Sequence, residues 1–375
     1  MLQIWVLNAG QGDSIVLRFE NNGQSSFAVI DSNRLTGAPP PAITKLEALG
    51  AKELSFVALT HPHSDHYSGF REIFEKYDGK IKEFYTYPFG VDVVGRLKLL
   101  AEKYLKFIGS TDSETNHQKA LEFIWVLKYA KDHFLEEDAW FELGGPFELL
   151  TPEGFGGVEI FSILPPRKVK GQYIQMIEKP DSWLEFNSNS SNINNLSAAF
   201  LIKYNGVEII LGGDGSYINW IDQKNRWQKV SVVTNVSVVK LPHHGSDKDC
   251  KTEILEHLFT ANGKKYAIIS AGGRKHPDKE VLTFLSGMKI TPMCTNFSKH
   301  CGPNNGLPFL NHNVAPPLLR AINAMLEPMP NSHRACQGDI CIEISDKGEL
   351  AIKPELNVPC IYSQELLDLF SGIAG

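Results

Sequence analysis

Short apolar runs recur along this chain, separated by turns that contain glycine, proline and asparagine, and they predict many β-strands. The runs near the start predict strands at residues 2–7, 14–19 and 27–30. Two later runs, at residues 198–203 and 207–211, flank an Asn-Gly pair and therefore predict a β-hairpin. The remaining predicted strands lie at residues 54–59, 82–87, 147–150, 158–164, 237–241 and 266–270.

Between these runs, apolar residues spaced three and four apart predict amphipathic helices. The longest lie at residues 92–107 and 118–133, and their apolar stripes are typical of core packing rather than of a partner-binding face. Shorter helices are predicted at residues 42–49, 68–77 and 279–285. The 375 residues, 42% of them hydrophobic, permit one large domain or two with a substantial core.

The residues that follow the apolar run 54–59 carry the densest set of metal-ligating side chains. His61, His63, Asp65 and His66 form the pattern H-x-H-x-D-H. A buried strand followed by a tight loop would direct the first two histidines to one point, and the aspartate and third histidine to a neighbouring point. Imidazole nitrogens and carboxylate oxygens suit zinc, and also manganese or iron. The pattern therefore predicts two adjacent divalent metal ions, with zinc favoured.

This pattern resembles that of the metallo-β-lactamase superfamily. Other stretches resemble one of its branches, the hydrolase domain of the competence protein ComEC and its free-standing relatives, although Asn8 stands where that branch usually has aspartate. The resemblance spans nearly the whole chain. The matching stretches are Gly10-Gln11-Gly12-Asp13, Ile30-Asp31, Asn194 to Ser197, Gly213-Asp214, Pro242-His243-His244-Gly245-Ser246 and His276-Pro277.

The resemblance implies an αββα sandwich, in which two mixed sheets lie face to face with helices outside and the metals at one edge. We accordingly expect one domain over residues 1–375. The segments at 91–135, 166–193 and 297–335 are expected to be elaborations of that domain.

The resemblance also implies roles for individual residues. Asp214 is expected to bridge the two metals, and Asp31 to orient the metal histidines, with an ordinary turn aspartate as its alternative. We favour His243 as a ligand of the second metal and His244 as a substrate contact. The expected metal ligands are His61, His63, Asp65, His66, Asp214 and His243, and the expected catalytic residues are Asp31, Asp65, Asp214, His244 and His276.

One feature departs from the superfamily pattern, which usually has a further histidine between the H-x-H-x-D-H motif and the bridging aspartate. His117 and His133 lie in that interval, but both fall in or beside predicted helices rather than at a strand end. We therefore expect the first metal to have a weak or solvent ligand, with a residue from Asn194 to Ser197 lining that side.

Two adjacent metals predict hydrolysis, and the resemblance favours a phosphodiesterase or nuclease acting on a phosphodiester substrate, including nucleic acid. A hydrolase of lactone, thioester or lactam carbonyls is the enzymatic alternative. A metal-bound regulatory module without catalysis is the alternative of another class. The net charge of -6 argues against a broad nucleic-acid-binding surface but permits a local basic groove.

The ends and the cysteines add expectations about location. The chain starts without a basic leader, and no apolar run approaches the roughly 20 residues that span a bilayer, so we expect a cytoplasmic protein without membrane association. The six cysteines are scattered without a C-x-x-C pair, which is typical of reduced thiols. A structural zinc near His300 is the alternative for those in the C-terminal third.

Overall fold

A computed structural model of the chain describes residues 1–87, 114–135, 138–145, 147–169, 171–172, 193–227, 233–272, 275–298, 300, 336–357 and 360. Their strands form two sheets, and both are mixed. None of the described helices is both long enough and apolar enough to cross a membrane.

The first sheet has the order β15-β14-β1-β2-β3-β4-β5-β6, with strands numbered along the chain. Its strands from β3 to β6 run parallel, whereas the remaining neighbours are antiparallel. The strands are β1 (Leu2–Val6), β2 (Ser14–Asn21), β3 (Gln24–Ser32), β4 (Leu54–Leu59), β5 (Ile81–Thr86), β6 (Trp140–Glu142), β14 (Ile340–Ile344) and β15 (Leu350–Pro354).

The second sheet has the order β13-β12-β11-β10-β9-β8-β7. Strands β10 to β13 are parallel, and β9 joins β10 through the antiparallel hairpin that the Asn-Gly pair predicts. The strands are β7 (Glu148–Leu150), β8 (Glu159–Leu164), β9 (Ala199–Tyr204), β10 (Val207–Leu211), β11 (Val236–Lys240), β12 (Lys265–Ile269) and β13 (Ile290–Cys294).

Helices cover the outer faces of both sheets. A π-helical turn (Lys131–Leu135) continues the longest described helix, and a 3₁₀ turn (Pro242–Gly245) follows β11. The helices are α1 (Pro41–Ala48), α2 (Ser64–Tyr67), α3 (Phe70–Lys76), α4 (Glu114–Ala130), α5 (Tyr217–Trp227), α6 (Thr252–Leu258) and α7 (Lys279–Gly287).

Three apolar layers hold this arrangement together. The middle layer lies between the sheets, where Phe56 of the first sheet and Phe200 of the second are both buried. One outer layer packs α1, α3 and α4 on the first sheet, and the other packs α5, α6 and α7 on the second. The predicted αββα sandwich of two mixed sheets flanked by helices is therefore confirmed.

Most predicted elements form close to their predicted positions. The helix predicted at residues 68–77 forms as α3, and the short helix α2, which the sequence did not predict, precedes it. A side chain at Gly69, between the two helices, would meet Ser32 and Pro40, so the backbone there packs closely against both segments. The helix predicted at 92–107 and most of the segments 166–193 and 297–335 lie outside the described residues, so the single-domain organisation stays a prediction.

The parallel strands determine where polar loops gather. The carboxyl ends of β3 and β4 in the first sheet, and of β10 and β11 in the second, lead into loops at one edge of the sandwich. At this edge the Ala198 amide donates to the Thr60 carbonyl (3.0 Å), which ties the start of β9 to the end of β4.

Candidate metal centre

Four overlapping groups of candidate metal ligands lie at this edge in the described part of the chain, and two of them include Asp13, with Asp214 and His244 or with Asp31 and His66. In the first, His61, His63 and Asp214 each place a ligand atom within 4.8 Å of the others. His61 Nε2 lies 2.9 Å from His63 Nδ1 and 3.7 Å from Asp214 Oδ2. The two histidines follow β4 and the aspartate follows β10, so each sheet contributes to the group.

The second group contains Asp65, His66 and His244. His66 Nε2 and His244 Nε2 each lie 3.4 Å from Asp214 Oδ1, and His244 Nε2 lies 3.9 Å from Asp65 Oδ2. Asp214 thus turns one carboxylate oxygen to each group. This is the arrangement that a bridging carboxylate requires.

The ligand atoms of the second group are short of partners. His66 Nε2, His244 Nε2 and Asp214 Oδ1 are buried, and none has a hydrogen-bond partner among the described residues. Buried polar atoms without partners are costly, and three that converge on one point are suited to hold a cation. Two imidazole nitrogens with carboxylate oxygens fit a divalent metal such as zinc, manganese or iron.

Asp31 lies beside the second group and fixes one of its rings. Its Oδ2 lies 2.6 Å from His66 Nδ1, and its two oxygens accept hydrogen bonds from the Thr60 amide (2.8 Å) and hydroxyl (2.7 Å). An acceptor at Nδ1 favours the tautomer in which Nε2 keeps its lone pair for a metal. The geometry suits the orienting role that the resemblance implies for Asp31.

The carboxylates and imidazoles of the site shift one another's pKa values. Burial raises the pKa of Asp214, but the His244 and His66 imidazoles outweigh it and hold that pKa well below its ordinary value. Burial lowers the pKa of His66, but the Asp214 and Asp31 carboxylates raise it well above its ordinary value. The carboxylates therefore demand positive charge here, which a proton or a metal ion can supply.

The 3₁₀ turn Pro242–Gly245 directs its two histidines to different groups of ligand atoms. His243 and His244 have φ angles of 45° and 55°, in the left-handed region, so the side-to-side alternation of a strand does not apply. His243 Nε2 lies 3.8 Å from Asp214 Oδ2, on the side of the first group. His244 joins Asp65 and His66. The assignment of His243 to the second metal stays a prediction, and the distances favour His244.

His243 and His276 lie at the outer side of the first group, and both are partly exposed. His243 Nδ1 lies 2.6 Å from Asp249 Oδ2, and His276 Nδ1 lies 3.0 Å from Asp278 Oδ2. The ring centroids are 5.3 Å apart. Two partly exposed imidazoles, each held by a carboxylate, therefore lie beside the first group.

The stretch from Asn194 to Ser197 borders the site, as expected for a segment that replaces the further histidine. The Ser197 hydroxyl accepts a hydrogen bond from the Asp214 amide (2.8 Å), and Asn194 Nδ2 lies 3.4 Å from His243 Nδ1. His133 is exposed, and its Nδ1 lies 2.9 Å from the Tyr129 carbonyl oxygen. The side chain of His117 is outside the described residues.

Two buried residues of the site, Asp13 and Lys240, are absent from the sequence-based ligand and catalytic sets. Asp13 Oδ1 lies 3.5 Å from His244 Nδ1, and Lys240 Nζ forms an ion pair with Asp13. Each left a signal in the sequence. Asp13 ends the Gly-Gln-Gly-Asp turn, in which a side chain at Gly12 would collide with the Asp65 carbonyl oxygen. Lys240 is a charged residue at the end of a strand that contains three valines.

The cysteines supply no ligand in any of the candidate metal groups found within the described residues. Cys250, Cys294, Cys336, Cys341 and Cys360 are buried. Cys301 lies outside the described residues, so the alternative of a structural zinc near His300 stays untested.

Comparisons with known proteins give one family-model match and several distant structural similarities. Residues 7–89 match the family model of the metallo-beta-lactamase superfamily, and no curated protein sequence matches the chain. Similar solved structures include CmlA, a diiron beta-hydroxylase from Streptomyces venezuelae (12% identity, 78% of this chain and 52% of CmlA covered, TM-score 0.39). A diphosphatase of the PhnP family has 11% identity over 75% of this chain and 90% of its own, with a TM-score of 0.36.

A third similar structure is Zn²⁺-bound PqqB from Methylobacterium extorquens (12% identity, 64% of this chain and 72% of PqqB covered, TM-score 0.33). The chain spans about half of the length of CmlA. At such low identity and TM-score, the activities of these proteins are not assigned to this chain. The two flanked mixed sheets and the matched segment at residues 7–89 are together consistent with the metallo-β-lactamase fold.

Proposed function

We propose that this chain is a hydrolase of the metallo-β-lactamase superfamily that holds two divalent metal ions and cleaves phosphodiesters. The observation that carries the proposal is Asp214, whose two carboxylate oxygens face two separate groups of ligand atoms. The resemblance of the Gly-Gln-Gly-Asp and His-His-Gly-Ser stretches to the ComEC branch supports the same reading.

In this proposal His61, His63 and Asp214 hold the first ion, and Asp65, His66, His244 and Asp214 hold the second, with zinc as the favoured metal. Two such ions lower the pKa of water and polarise the bond under attack. Burial and the neighbouring imidazoles lower the pKa of His61 well below its ordinary value, so this ring is neutral and able to act as a ligand.

The chain's own side chains then handle the substrate. Burial lowers the pKa of His243, but the hydrogen bond to Asp249 and the Asp214 carboxylate outweigh it and raise that pKa above the ordinary value. A raised pKa favours the protonated form of His243, which would place positive charge beside the first group for an anionic phosphate. His276 lies beside it, so the pair can donate hydrogen bonds to phosphate oxygens, or a proton to the departing oxygen.

The surroundings favour a phosphodiester over a carbonyl substrate. The partly exposed imidazoles of His243 and His276 lie beside the first group and can donate to a phosphate anion. Nucleic acid strands are the phosphodiesters that the ComEC resemblance suggests as partners.

A substrate panel tests the proposal. Purified protein loaded with zinc or manganese is assayed on bis-p-nitrophenyl phosphate, single-stranded DNA, RNA, cyclic nucleotides and p-nitrophenyl acetate, with metal content measured by elemental analysis. The expected result is two metal ions and metal-dependent phosphodiester cleavage. A His61→Ala, His63→Ala double variant should lose metal and activity, whereas His133→Ala, an exposed histidine away from the site, should keep both.

Other outcomes contradict specific parts of the proposal. Turnover of the acetate ester alone would favour the carbonyl hydrolase. Two bound metals without any turnover would favour the regulatory module. Metal content that the double variant leaves unchanged would place the metal elsewhere and overturn the site.

A further inference from the structure

We propose that Asp13 and Lys240 form a buried pair that positions the His244 ring and so sets the affinity of the second metal ion, but not of the first. The inference rests on the two-metal centre of the proposed function and needs no particular substrate. Asp13 and Lys240 are positioning residues, since neither would touch substrate.

The pair joins the two sheets at the site. Lys240 ends β11 of the second sheet, and Asp13 directly precedes β2 of the first. Lys240 Nζ donates to Asp13 Oδ2 and to the Gly213 carbonyl (3.2 Å), and the two side chains are 0% and 1% exposed. Lys240 therefore contacts both the carboxylate beside His244 and the backbone that precedes Asp214.

The other oxygen of Asp13 faces the ring of His244. Asp13 Oδ1 lies 3.5 Å from His244 Nδ1, which is about 0.3 Å beyond the usual range for an N–H···O bond. Both atoms are buried, and neither has a hydrogen-bond partner among the residues that the structure describes. With a proton on Nδ1 directed to Asp13, His244 Nε2 keeps its lone pair and points to Asp65 and Asp214.

The other imidazole of the second metal group also has a carboxylate facing its Nδ1, at a shorter distance. His66 Nδ1 lies 2.6 Å from Asp31, and the Asp31 carboxylate is held by two hydrogen bonds from Thr60. His244 Nδ1 faces Asp13, and the Asp13 carboxylate is held by Lys240. Each ring therefore has one carboxylate behind it, and a carboxylate or carbonyl behind a metal histidine is the usual way to fix its tautomer.

A lysine is needed because the site is crowded with buried carboxylates. Asp13, Asp31 and Asp214 are all buried, and the Lys240 ammonium pairs with Asp13. A buried carboxylate needs such a partner, because an unpaired buried charge is costly. Lys240 thus compensates the charge of Asp13 and holds one of its oxygens.

The test uses two charge-balanced double variants, because removal of one partner alone would leave an unpaired buried charge. Asp13→Asn with Lys240→Met retains a carbonyl oxygen that can accept from His244 Nδ1. Asp13→Leu with Lys240→Met has a similar volume but no acceptor. Metal-free protein is titrated with zinc in a calorimeter, and circular dichroism and thermal unfolding verify the fold.

We expect the leucine variant to bind its second zinc about 10- to 100-fold more weakly than the wild type, with the first zinc unchanged. The asparagine variant should lose less. A folded leucine variant with wild-type affinity at both sites would overturn the proposal, as would equal losses at both sites, since these indicate general structural support. If neither variant folds, ¹⁵N NMR of His244 in the zinc-loaded wild type decides, because zinc at Nδ1 would overturn the proposal.

Failure of the proposed function is distinguishable from failure of this inference. If the wild type binds two zinc ions but cleaves no phosphodiester, the proposed function alone fails. If it binds fewer than two, the two-metal centre fails and this inference fails with it. If the wild type binds two and the variants match it, the two-metal centre stands and the positioning role is refuted.

Discussion

Replacement of Asp31 by asparagine tests how the centre holds its second metal. Asp31→Asn keeps the size of the side chain, and the amide oxygen can still accept from the Thr60 amide. The other oxygen, which lies 2.7 Å from the Thr60 hydroxyl and 2.6 Å from His66 Nδ1, becomes an NH₂ group. That group can donate to the hydroxyl but meets the ring nitrogen as a second donor, unless the ring changes tautomer.

The expected loss follows from that single contact. With the proton moved to Nε2, His66 presents an N–H to the metal instead of a lone pair. Metal binding must then reverse the tautomer and break the hydrogen bond from the introduced NH₂ group to Nδ1. A hydrogen bond to a charged group contributes about 1.5–3 kcal/mol. This corresponds to a loss of roughly 10- to 100-fold in affinity for the second zinc, the range also found when such supporting partners are removed.

Calorimetric titration with zinc measures this loss, and Asp78→Asn serves as the matched control because Asp78 is an exposed carboxylate away from the metal groups. The first zinc should lose less affinity than the second in Asp31→Asn, because Asp31 reaches His61 through the Thr60 hydroxyl, which lies 3.1 Å from His61 Nδ1. A second-zinc affinity within about threefold of the wild type would refute the reasoning. Asp31 would then be an ordinary turn aspartate, the alternative that the sequence left open.

Three further predictions concern other residues. Asp214→Ala should lower phosphodiester turnover by several orders of magnitude with an unchanged far-UV circular dichroism spectrum, and retention of more than about a tenth of the rate would make Asp214 a structural turn residue. His244→Ala should lower the affinity for the second zinc about 10-fold or more. His243→Ala should bind both zinc ions but lose turnover. If excess zinc restores the activity of His243→Ala, His243 is the ligand after all. Burial lowers the pKa of His257 to about 4 in the folded protein, below its ordinary 6.5, so the unfolded chain binds its proton first and stability should fall as pH drops from about 6.5 toward 4. His257→Gln should reduce that fall, measured as the free energy of unfolding against pH, and an unchanged slope would contradict the prediction.

The sequence predicts the backbone of this centre well because local patterns encode it. The run at residues 54–59 is apolar throughout, and β4 is indeed buried at every position, as expected for a strand covered on both faces. The hairpin before Asp214 follows from the Asn-Gly pair, whose positive φ angles of 46° and 81° a two-residue turn requires. Since parallel strands end at one edge, the loops that follow them also meet there.

The partner of a buried charge cannot be read from local pattern. Asp13 and Lys240 are 227 positions apart, and no periodicity relates them. The lysine at the end of an apolar strand signals a buried charge that needs a partner, but any acidic residue of the chain satisfies that signal. The contact follows from how the two sheets pack, which neither strand encodes alone.

The choice between His243 and His244 is hidden from the sequence for a different reason. Their left-handed φ angles of 45° and 55° cost about 1–2 kcal/mol per residue, and nothing in two adjacent histidines announces such a conformation. Glycine at these two positions would adopt such φ angles without strain but would lack the imidazole side chains. Because of the strained turn, one ring lies 3.8 Å from Asp214 Oδ2 and the next lies 3.4 Å from Oδ1. Strain of this kind persists where the surrounding structure fixes it, and here it places neighbouring residues on opposite sides of the one carboxylate that both metals would share.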